Sequence, residues 1–254
     1  MFDIGANLTS SHFIKDLDVV LNDSLTAGVE KICITSSNLD DVKNAKKITE
    51  KYKNLYYSVG FHPHNAKDFK IEFLKDMLVY LNDPKAICLG EMGLDFNRNF
   101  SSKEEQILCF ESQLSLANSI SKPLFLHQRD AHEEFLSVLD NHKFNQKLIV
   151  HCFTGNLSEL EEYLKRDFYI GITGWVCNLK RGKELRECIN QIPEDKLLIE
   201  TDSPYLSPRK KIRRNEPKFL IDVAEEVATL RNETTESIIN SSYKNSLNFF
   251  NLHR

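Results

Sequence analysis

Four short apolar runs in this chain each lead into a residue of a type that binds divalent metals. Runs of this length are typical of buried parallel strands. When parallel strands alternate with helices in a barrel, the residues at their carboxyl ends gather at one face of the fold. A divalent cation requires such a gathering of carboxylate and imidazole groups. The four residues, which are the predicted metal ligands, are Glu91, His127, His151 and Asp202.

A structural role is the competing interpretation of each of these residues. A single histidine at a strand end is more often held by ordinary contacts than by a metal. Four ligand-type residues at four strand ends are harder to explain in that way, because burying charge without a partner is costly. We therefore expect Glu91 to bind metal, and its two oxygens allow it to bridge two ions. We expect Asp202 to bind metal, or to orient and deprotonate an attacking water.

Two further histidines follow the third predicted strand in the segment Gly60-Phe61-His62-Pro63-His64. They lie two residues apart on a loop that contains proline, which restricts the backbone. The functional interpretation of His62 and His64 is catalytic, as proton-transfer groups or as phosphate contacts. The alternative is an ordinary solvent-exposed loop.

Several cations are candidates for binding a phosphate backbone. Arg129 follows His127 by two residues, and it could equally hold a phosphate or form a salt bridge with a neighbour. The segment 208–215 is the densest positive stretch of an acidic protein. Its position after the eighth predicted strand favours nucleic-acid binding over a simple solvated loop. The predicted contacts in it are Arg209, Lys210, Lys211 and Arg213.

Trp175 is the only tryptophan of the chain and follows the seventh predicted strand. An aromatic ring beside a nucleic-acid site can stack on a base. It can also fill the mouth of a barrel, and this second interpretation is slightly favoured.

The elements that must position these residues alternate between strand and helix along the whole chain. This pattern predicts an α/β fold of the TIM (β/α)8 barrel type. No linker-like segment interrupts it, so a single domain over residues 1–254 is expected. Ser101 and Glu104 have the spacing of a capping box at the start of the fourth helix. The predicted strands span 2–4, 31–35, 55–59, 86–91, 123–127, 147–151, 168–172 and 196–202. The predicted helices span 13–27, 40–52, 69–81, 101–120, 133–139, 157–165, 182–189, 217–230 and 236–249.

Composition excludes several classes of protein. The chain has 254 residues, 41% hydrophobic and 28% charged residues, and a formal net charge of −4, which together are typical of a globular protein without a general basic coat. Its six cysteines contain no CxxC pair, so buried free thiols are expected rather than disulfides or a zinc finger. No membrane-spanning run or signal peptide is apparent, and a cytoplasmic location is therefore expected.

Five segments carry most of the candidate site residues, in the order 60–64, 91–95, 127–131, 151–155 and 200–205. Taken together in this order, they resemble the TatD family of metal-dependent deoxyribonucleases. Residues 213–217, Arg-Arg-Asn-Glu-Pro, are similar to the closing motif of that family. The resemblance implies a barrel of the metallo-dependent hydrolase type, a divalent metal site and hydrolysis of DNA phosphodiesters. Segments 3–9 and 93–100 resemble the subgroup that acts as a 3′–5′ exonuclease on single-stranded DNA and RNA.

One pair of positions departs from the wider family. Many relatives carry His-x-His after the first strand, whereas this chain has Gly5 and Asn7 there. A second metal would then be held only by oxygens, from Glu91, Asp202, Asn7 and the substrate. Such an oxygen-rich set suits Mg²⁺ or Mn²⁺. We therefore expect Mg²⁺ as the metal, with Mn²⁺ or Zn²⁺ as alternatives, and Asn7 as a substrate contact.

The function predicted from the sequence is a metal-dependent nuclease that acts on single-stranded DNA or RNA as a monomer, without a membrane partner. One alternative is a metal-dependent enzyme with a different substrate, such as an amidohydrolase or a deacylase of aminoacyl-tRNA. The other is an inactive nucleic-acid-binding scaffold. The basic segment favours a nucleic-acid substrate over a small amide, and the intact ligand residues favour an enzyme over a scaffold.

Overall fold

The computed structural model describes residues 1–143 and 145–252 and contains eight parallel strands. The strands follow one another in chain order in one sheet, each with a helical segment after it. The predicted TIM (β/α)8 class and the number of strands are therefore confirmed. The strands are β1 (Phe2–Ala6), β2 (Lys31–Ile34), β3 (Leu55–Val59), β4 (Ala86–Asp95), β5 (Leu124–Arg129), β6 (Leu148–Val150), β7 (Tyr169–Ile172) and β8 (Leu197–Ile199).

Nine α-helices lie in the described part of the chain. Short 3₁₀ turns supplement them, including Pro63–Asp68 after β3 and Gly174–Cys177 after β7. The helices are α1 (Leu17–Thr26), α2 (Leu39–Lys51), α3 (Phe73–Leu81), α4 (Lys103–Leu114), α5 (His132–Asp140), α6 (Leu157–Lys165), α7 (Lys183–Cys188), α8 (Leu220–Arg231) and α9 (Thr235–Phe249).

The chain forms two compact units. Unit 1 comprises residues 1–34 and 151–254, and unit 2 comprises residues 35–150. Unit 1 therefore contains β7, β8, β1 and β2, and unit 2 contains β3 to β6. The prediction of one domain over residues 1–254 stays a prediction.

In unit 1 every strand residue except the half-buried Lys31 is buried, and most of these residues are apolar. Helix α8 buries Leu220, Val223, Ala224, Val227 and Ala228, which recur at the three- and four-residue spacing of one helix face. Each large side chain buried in this way contributes roughly 1.5–3 kcal/mol of hydrophobic stabilisation. The helix ends where Asn232 adopts a left-handed conformation, for which asparagine is suited.

In unit 2 the central strand is β4, and all ten of its residues are buried. Parallel pairing with β3 on one side and β5 on the other explains why this strand is almost continuously apolar. Helix α4 covers β4 and begins with a capping box. The box is formed by Ser102 and Glu105, so the predicted pairing of Ser101 with Glu104 was wrong by one residue.

Several predicted boundaries differ from the observed ones. The first and third helices begin four residues later than predicted, because turns precede α1 and the 3₁₀ turn Pro63–Asp68 with its following loop precedes α3. The fourth helix ends at Leu114 rather than near residue 120, and a 3₁₀ turn at Ala117–Ser119 follows it. Strand β4 continues four residues beyond Glu91, to Asp95.

The six cysteines are free thiols, as predicted, although Cys152 and Cys177 are only half-buried. Across residues 1–143 and 145–252, no helix combines the length and the apolar character that a membrane span requires.

A buried carboxyl group joins β1 to the segment after β8 within unit 1. Asp3 has no solvent exposure and accepts hydrogen bonds from the backbone N–H of Thr201 at 2.9 Å and from the Thr201 hydroxyl at 2.5 Å. Burial raises the pKa of Asp3 from 3.8 to about 8, although the bonds from Thr201 oppose this effect. The folded protein therefore binds a proton at Asp3 that the unfolded chain releases near pH 4.

This proton predicts a specific pH dependence of stability. Because the pKa is raised on folding, the contribution of Asp3 is fully present below about pH 4 and is lost as pH rises towards 8. In Asp3→Asn the unfolding free energy should fall less between pH 5.5 and pH 8 than in the unaltered protein, by on the order of 3 kcal/mol. Urea denaturation at a series of pH values measures this difference. Asp195→Asn, which alters an exposed carboxyl group of unit 1, serves as the control. Parallel pH profiles for Asp3→Asn and the unaltered protein would contradict the assignment.

Candidate metal centre and active site

In unit 2, three predicted site residues lie together, because two histidines contact the carboxylate of Glu91. Oxygen Oε1 of Glu91 lies 2.9 Å from Nδ1 of His127 and 3.1 Å from Nε2 of His62. Glu91 and His62 are buried and His127 is nearly so. One ligand atom from each of the three lies within 4.8 Å of the others, so the group could hold a metal ion. Of these residues, Glu91 and His127 were predicted as metal ligands and His62 as a catalytic group.

The hydrogen bonds of His62 distinguish its role from that of His127. Burial lowers the pKa of His62 to about 4, although Glu91 opposes the effect, so the ring is neutral near pH 7. Its Nδ1 accepts the backbone N–H of His64 at 3.0 Å. A neutral imidazole that accepts at Nδ1 carries its proton on Nε2, so His62 donates to Glu91. In this arrangement His62 holds the carboxylate, and it would have to change tautomer before it could bind a metal.

The surroundings of His127 suit a divalent cation. Its Nδ1 lies beside Glu91, and its Nε2 lies 3.6 Å from Oδ2 of Asp95. A neutral imidazole has a single N–H, so one of its two nitrogens directs a lone pair towards a carboxylate. Either a second proton or a cation relieves the repulsion between them. A carboxylate and an imidazole are ordinary ligands of Mn²⁺ and Zn²⁺, and the carboxylate also suits Mg²⁺, so the donor set fits a divalent metal.

Asp95 extends the cluster and was not predicted from the sequence. Its Oδ2 lies 2.7 Å from Nε2 of His64, and its Oδ1 accepts the backbone N–H groups of Asn97 and Arg98. Burial acts to raise the pKa of Asp95, but the nearby His127 and His64 rings and the backbone N–H of Arg98 outweigh burial and hold the pKa below its usual range. Asp95 is therefore an anion near pH 7. Side chains at alternate positions of a strand share one face, so its spacing of four from Glu91 was a usable signal.

Two buried glutamines of α4 fix the backbone on either side of the cluster. The amide of Gln113 accepts the N–H of Phe61 at 2.7 Å and donates to its carbonyl oxygen at 3.0 Å. The amide of Gln106 accepts the N–H of Asp95 at 2.8 Å and donates to its carbonyl oxygen at 3.1 Å. Helix α4 thus positions the loop of His62 at one end and the last residue of β4 at the other.

Two glycines let β4 approach β5 closely next to the cluster. A Cβ atom on Gly93 would lie 1.9 Å from the carbonyl oxygen of His127, and one on Gly90 would lie 2.1 Å from that of Phe125. Both glycines also have positive φ angles, of 146° and 138°. These positions flank Glu91, so the distance between Glu91 and His127 depends on the absence of side chains there.

In unit 1, His151 is paired with a carboxylate that was not assigned a role from the sequence. Its Nδ1 lies 3.3 Å from Oε2 of Glu200, whose Oε1 also accepts the backbone N–H of Cys152. Glu200 has no solvent exposure, and Gly171 makes room for it, because a Cβ there would lie 2.6 Å from Oε1. A carboxylate on one imidazole nitrogen fixes the tautomer and orientation of a metal-binding histidine.

Asp202 and Asn7 also lie together in unit 1. Nδ2 of Asn7 donates to Oδ1 of Asp202 at 2.8 Å. Backbone bonds hold the two segments in place, from the N–H of Asp202 to the carbonyl of Gly5 and from the N–H of Asn7 to that of Ser203. Asp202 has a φ of 52°, a left-handed conformation that aspartate tolerates better than most residues. Asn7 therefore occupies a position from which it orients Asp202.

The predicted phosphate-binding cations differ in their surroundings. Arg129 is half-buried and ends β5, in register with Asp95 of β4. Arg209 forms a bidentate pair with Asp222, with its Nε at 2.7 Å and its Nη2 at 3.0 Å from the two carboxylate oxygens. Lys210, Lys211 and Arg213 are exposed as phosphate contacts would be, whereas the bond from Arg209 to Asp222 holds the segment against α8.

The TatD-related DNase family model matches residues 2–251. The chain belongs to this family. Similar proteins named 3′-5′ ssDNA/RNA exonuclease TatD include one from Citrobacter koseri, 44% identical over 92% of both chains. Another, from Erwinia tasmaniensis, is 42% identical over 99% of this chain and 100% of the relative.

Solved structures agree with this membership. A hydrolase of the TatD family from Entamoeba histolytica is 30% identical, with a TM-score of 0.90 over 98% of this chain and 97% of that chain. A TatD homologue from Escherichia coli k12 is 26% identical, with a TM-score of 0.92 over 100% of this chain and 98% of that chain. As a member of this family, the chain is a hydrolase, and specifically a nuclease.

The glycines of β4 provide a test of the cluster geometry. Gly93→Ala places a methyl group against the His127 backbone, so β5 must move away from Glu91. Metal affinity and nuclease activity should each fall by about tenfold or more, as they do when groups that orient a metal ligand are removed. Calorimetric metal titration and turnover of a labelled oligonucleotide measure the two effects.

Gly28→Ala is a control variant that adds backbone strain without a close contact between strands. Gly28 also has a positive φ angle, of 86°, but a Cβ there would meet only Met1 Cε at 3.9 Å. This control should lower the melting temperature and retain metal binding. Equal loss of metal binding in both variants would show that general destabilisation, rather than the approach at His127, explains the result.

Proposed function

We propose that this chain is a metal-dependent 3′–5′ exonuclease that hydrolyses single-stranded DNA and RNA. The observation that carries the proposal is the buried Glu91 carboxylate between His62 and His127. It occurs in a chain more than 40% identical to proteins named for that activity. Glu91 and His127 are the proposed metal ligands in unit 2. His151 and Asp202 of unit 1 are proposed as further ligands from their positions after β6 and β8.

For the metal, we propose Mg²⁺, with Mn²⁺ as an effective substitute. Carboxylate oxygens suit Mg²⁺, whereas imidazole nitrogens bind Mn²⁺ and Zn²⁺ more tightly. Because His127 contributes nitrogen, Mn²⁺ should support activity at a lower concentration than Mg²⁺. When bound, the metal would polarise the phosphodiester and lower the pKa of a bound water.

The protein groups have separate roles in the proposed reaction. Asp202, oriented by Asn7, takes the proton of the attacking water. His62 holds Glu91 in position through its Nε2–H. His64, held by the anionic Asp95, would stabilise or protonate the leaving oxygen. Arg129, Lys210, Lys211 and Arg213 contact phosphates. A monomer acting in the cytoplasm remains part of the proposal.

Replacing the central carboxylate tests the metal site. Glu91→Gln keeps the size of the side chain and removes its charge, so metal binding should weaken and turnover should fall by at least about 100-fold. Activity is measured on a labelled single-stranded oligonucleotide over a range of Mg²⁺ and Mn²⁺ concentrations, and metal binding by calorimetry. Glu105→Gln, in the exposed capping box of α4, is the matched control and should retain both properties. Near-native turnover by Glu91→Gln at saturating Mg²⁺ would overturn the assignment.

The same assay distinguishes the proposed function from its alternatives. A strand labelled at its 5′ end should shorten one nucleotide at a time, whereas a 3′ label should be released at once as a mononucleotide. Internal cleavage products would instead show an endonuclease. Metal-dependent hydrolysis of an aminoacyl-tRNA ester without cleavage of the strand would show a deacylase, and binding without turnover would show a scaffold.

The basic segment after β8 predicts a change in salt dependence. In a triple variant, Lys210→Gln, Lys211→Gln and Arg213→Gln, the slope of log affinity against log salt should decrease in magnitude by about 2, because each phosphate contact contributes about 0.7 for single strands. Fluorescence anisotropy of a labelled strand in EDTA measures binding without hydrolysis. Arg209→Gln should change this slope less and stability more, because Arg209 is paired with Asp222. An unchanged slope in the triple variant would show that the segment is an ordinary solvated loop.

A further inference from the structure

The loop after β7 carries a stacked pair that the proposed chemistry does not use. The guanidinium carbon of Arg181 lies 3.9 Å from the ring centroid of Trp175. The indole Nε1–H donates to the carbonyl oxygen of Arg181 at 2.9 Å, so the ring and the arginine backbone are tied together. Trp175 is half-buried, whereas Arg181 is exposed. We call this pair the Trp175–Arg181 stack.

Local bonds hold the loop in one conformation. The hydroxyl of Thr173 accepts the N–H of Trp175, and Oδ1 of Asn178 accepts the N–H groups of Lys180 and Arg181 at 3.1 Å and 3.0 Å. Gly182 permits the close return of the chain, because a Cβ there would lie 2.3 Å from the carbonyl oxygen of Trp175. A surface that is ordered before binding loses less entropy when a ligand arrives.

Within unit 1, the loop after β7 contacts the basic segment after β8. A Cβ on Gly174 would lie 2.2 Å from the carbonyl oxygen of Leu206 and 3.0 Å from the nitrogen of Pro208, so the two loops are in contact. Cys177 also contacts the Asp222 carbonyl of α8, and the carboxylate of Asp222 holds Arg209. The stack and the segment 209–213 therefore belong to one surface.

This surface concentrates positive charge in an acidic protein. Segments 173–183 and 203–215 contain no acidic residue, although the chain has a formal net charge of −4. Seven of their cations are exposed, and six of these form no ion pair among residues 1–143 and 145–252. Unpaired cations at this density favour a polyanion. The six are Lys180, Arg181, Lys183, Lys210, Lys211 and Arg213.

We propose that the Trp175–Arg181 stack is a base-stacking platform for single-stranded nucleic acid, with the six cations contacting the phosphates beside it. Aromatic rings and the guanidinium plane of arginine both stack on bases with little sequence preference. Tyr205, 54% exposed in the adjoining loop, adds a second aromatic group to this surface. The proposal rests on the proposed function and deepens it. It specifies unpaired bases, rather than phosphates alone, as part of what the enzyme recognises.

The only tryptophan of the chain reports directly on the platform. The full-length protein in EDTA, where no hydrolysis occurs, is titrated with a 12-residue oligothymidylate and with an abasic strand of the same length and charge. The oligothymidylate should quench Trp175 fluorescence saturably, and the abasic strand should bind about tenfold more weakly, the loss expected when a base–aromatic stack is removed. Equal affinity and equal quenching by the two strands would overturn the platform and leave only phosphate binding.

Variants locate the effect in the stack. By anisotropy of the labelled oligothymidylate, Trp175→Ala should bind about tenfold more weakly and Trp175→Phe should be near native, because a phenyl ring still stacks. Arg181→Gln should bind more weakly and show a smaller preference over the abasic strand. Lys244→Gln, an equal change of charge on α9, should bind natively. Circular dichroism checks the fold, and equal binding by Trp175→Ala and Trp175→Phe would contradict the proposal.

These measurements separate the platform from the proposed function. If the oligothymidylate quenches Trp175 but no strand is hydrolysed with any metal, the nuclease proposal fails while the platform stands. If strands are hydrolysed but the bases make no difference to binding, the platform fails while the nuclease stands.

Discussion

The buried carboxylate of Glu91 is the constraint on which the organisation of unit 2 depends. An ionised carboxylate removed from water is unstable unless charges or hydrogen bonds compensate it. His62 and His127 supply these contacts, and neither comes from the strand that carries Glu91. Their positions in turn require Gln113 of α4 to hold the His62 loop, and glycines at positions 90 and 93 to admit β5. The fold of this unit therefore brings two histidine side chains from other segments to the Glu91 carboxylate.

Carboxylate–imidazole pairs recur in the protein with different consequences. Asp95 stays ionised beside His64 because its hydrogen bonds outweigh burial, whereas burial raises the pKa of Asp3, whose hydrogen bonds come from Thr201 and Gly5. In unit 1, Glu200 orients His151 in the manner of the outer carboxylates of metal sites. Asp202 is instead oriented by the neutral Asn7 amide. Partner type thus decides which acids hold protons and which can accept them.

Positive charge is concentrated on one surface of unit 1, although the net charge of the whole chain is negative. Arg209 and Arg214 are paired with acids and brace the segment between β8 and α8. Lys210, Lys211 and Arg213 form no ion pair among the described residues, and their loop contacts the loop of the Trp175–Arg181 stack at Gly174. A surface on which some cations are paired with acids and others are exposed suits a polyanion such as a single strand.

The sequence by itself determined the class of fold, the number and order of the strands, and which of them end beside groups able to bind a metal. Apolar runs and strand–helix alternation are local properties, so β3 and α6 could be predicted to the residue. Tertiary structure alone decided which groups meet. His62 bonds to Glu91, Asp95 joins His64, Glu200 reaches His151, and Arg209 turns to Asp222. These pairings join segments far apart in the chain or span a loop, and side-chain bonds and pKa values depend on distances that the spacing of residues in a sequence does not contain.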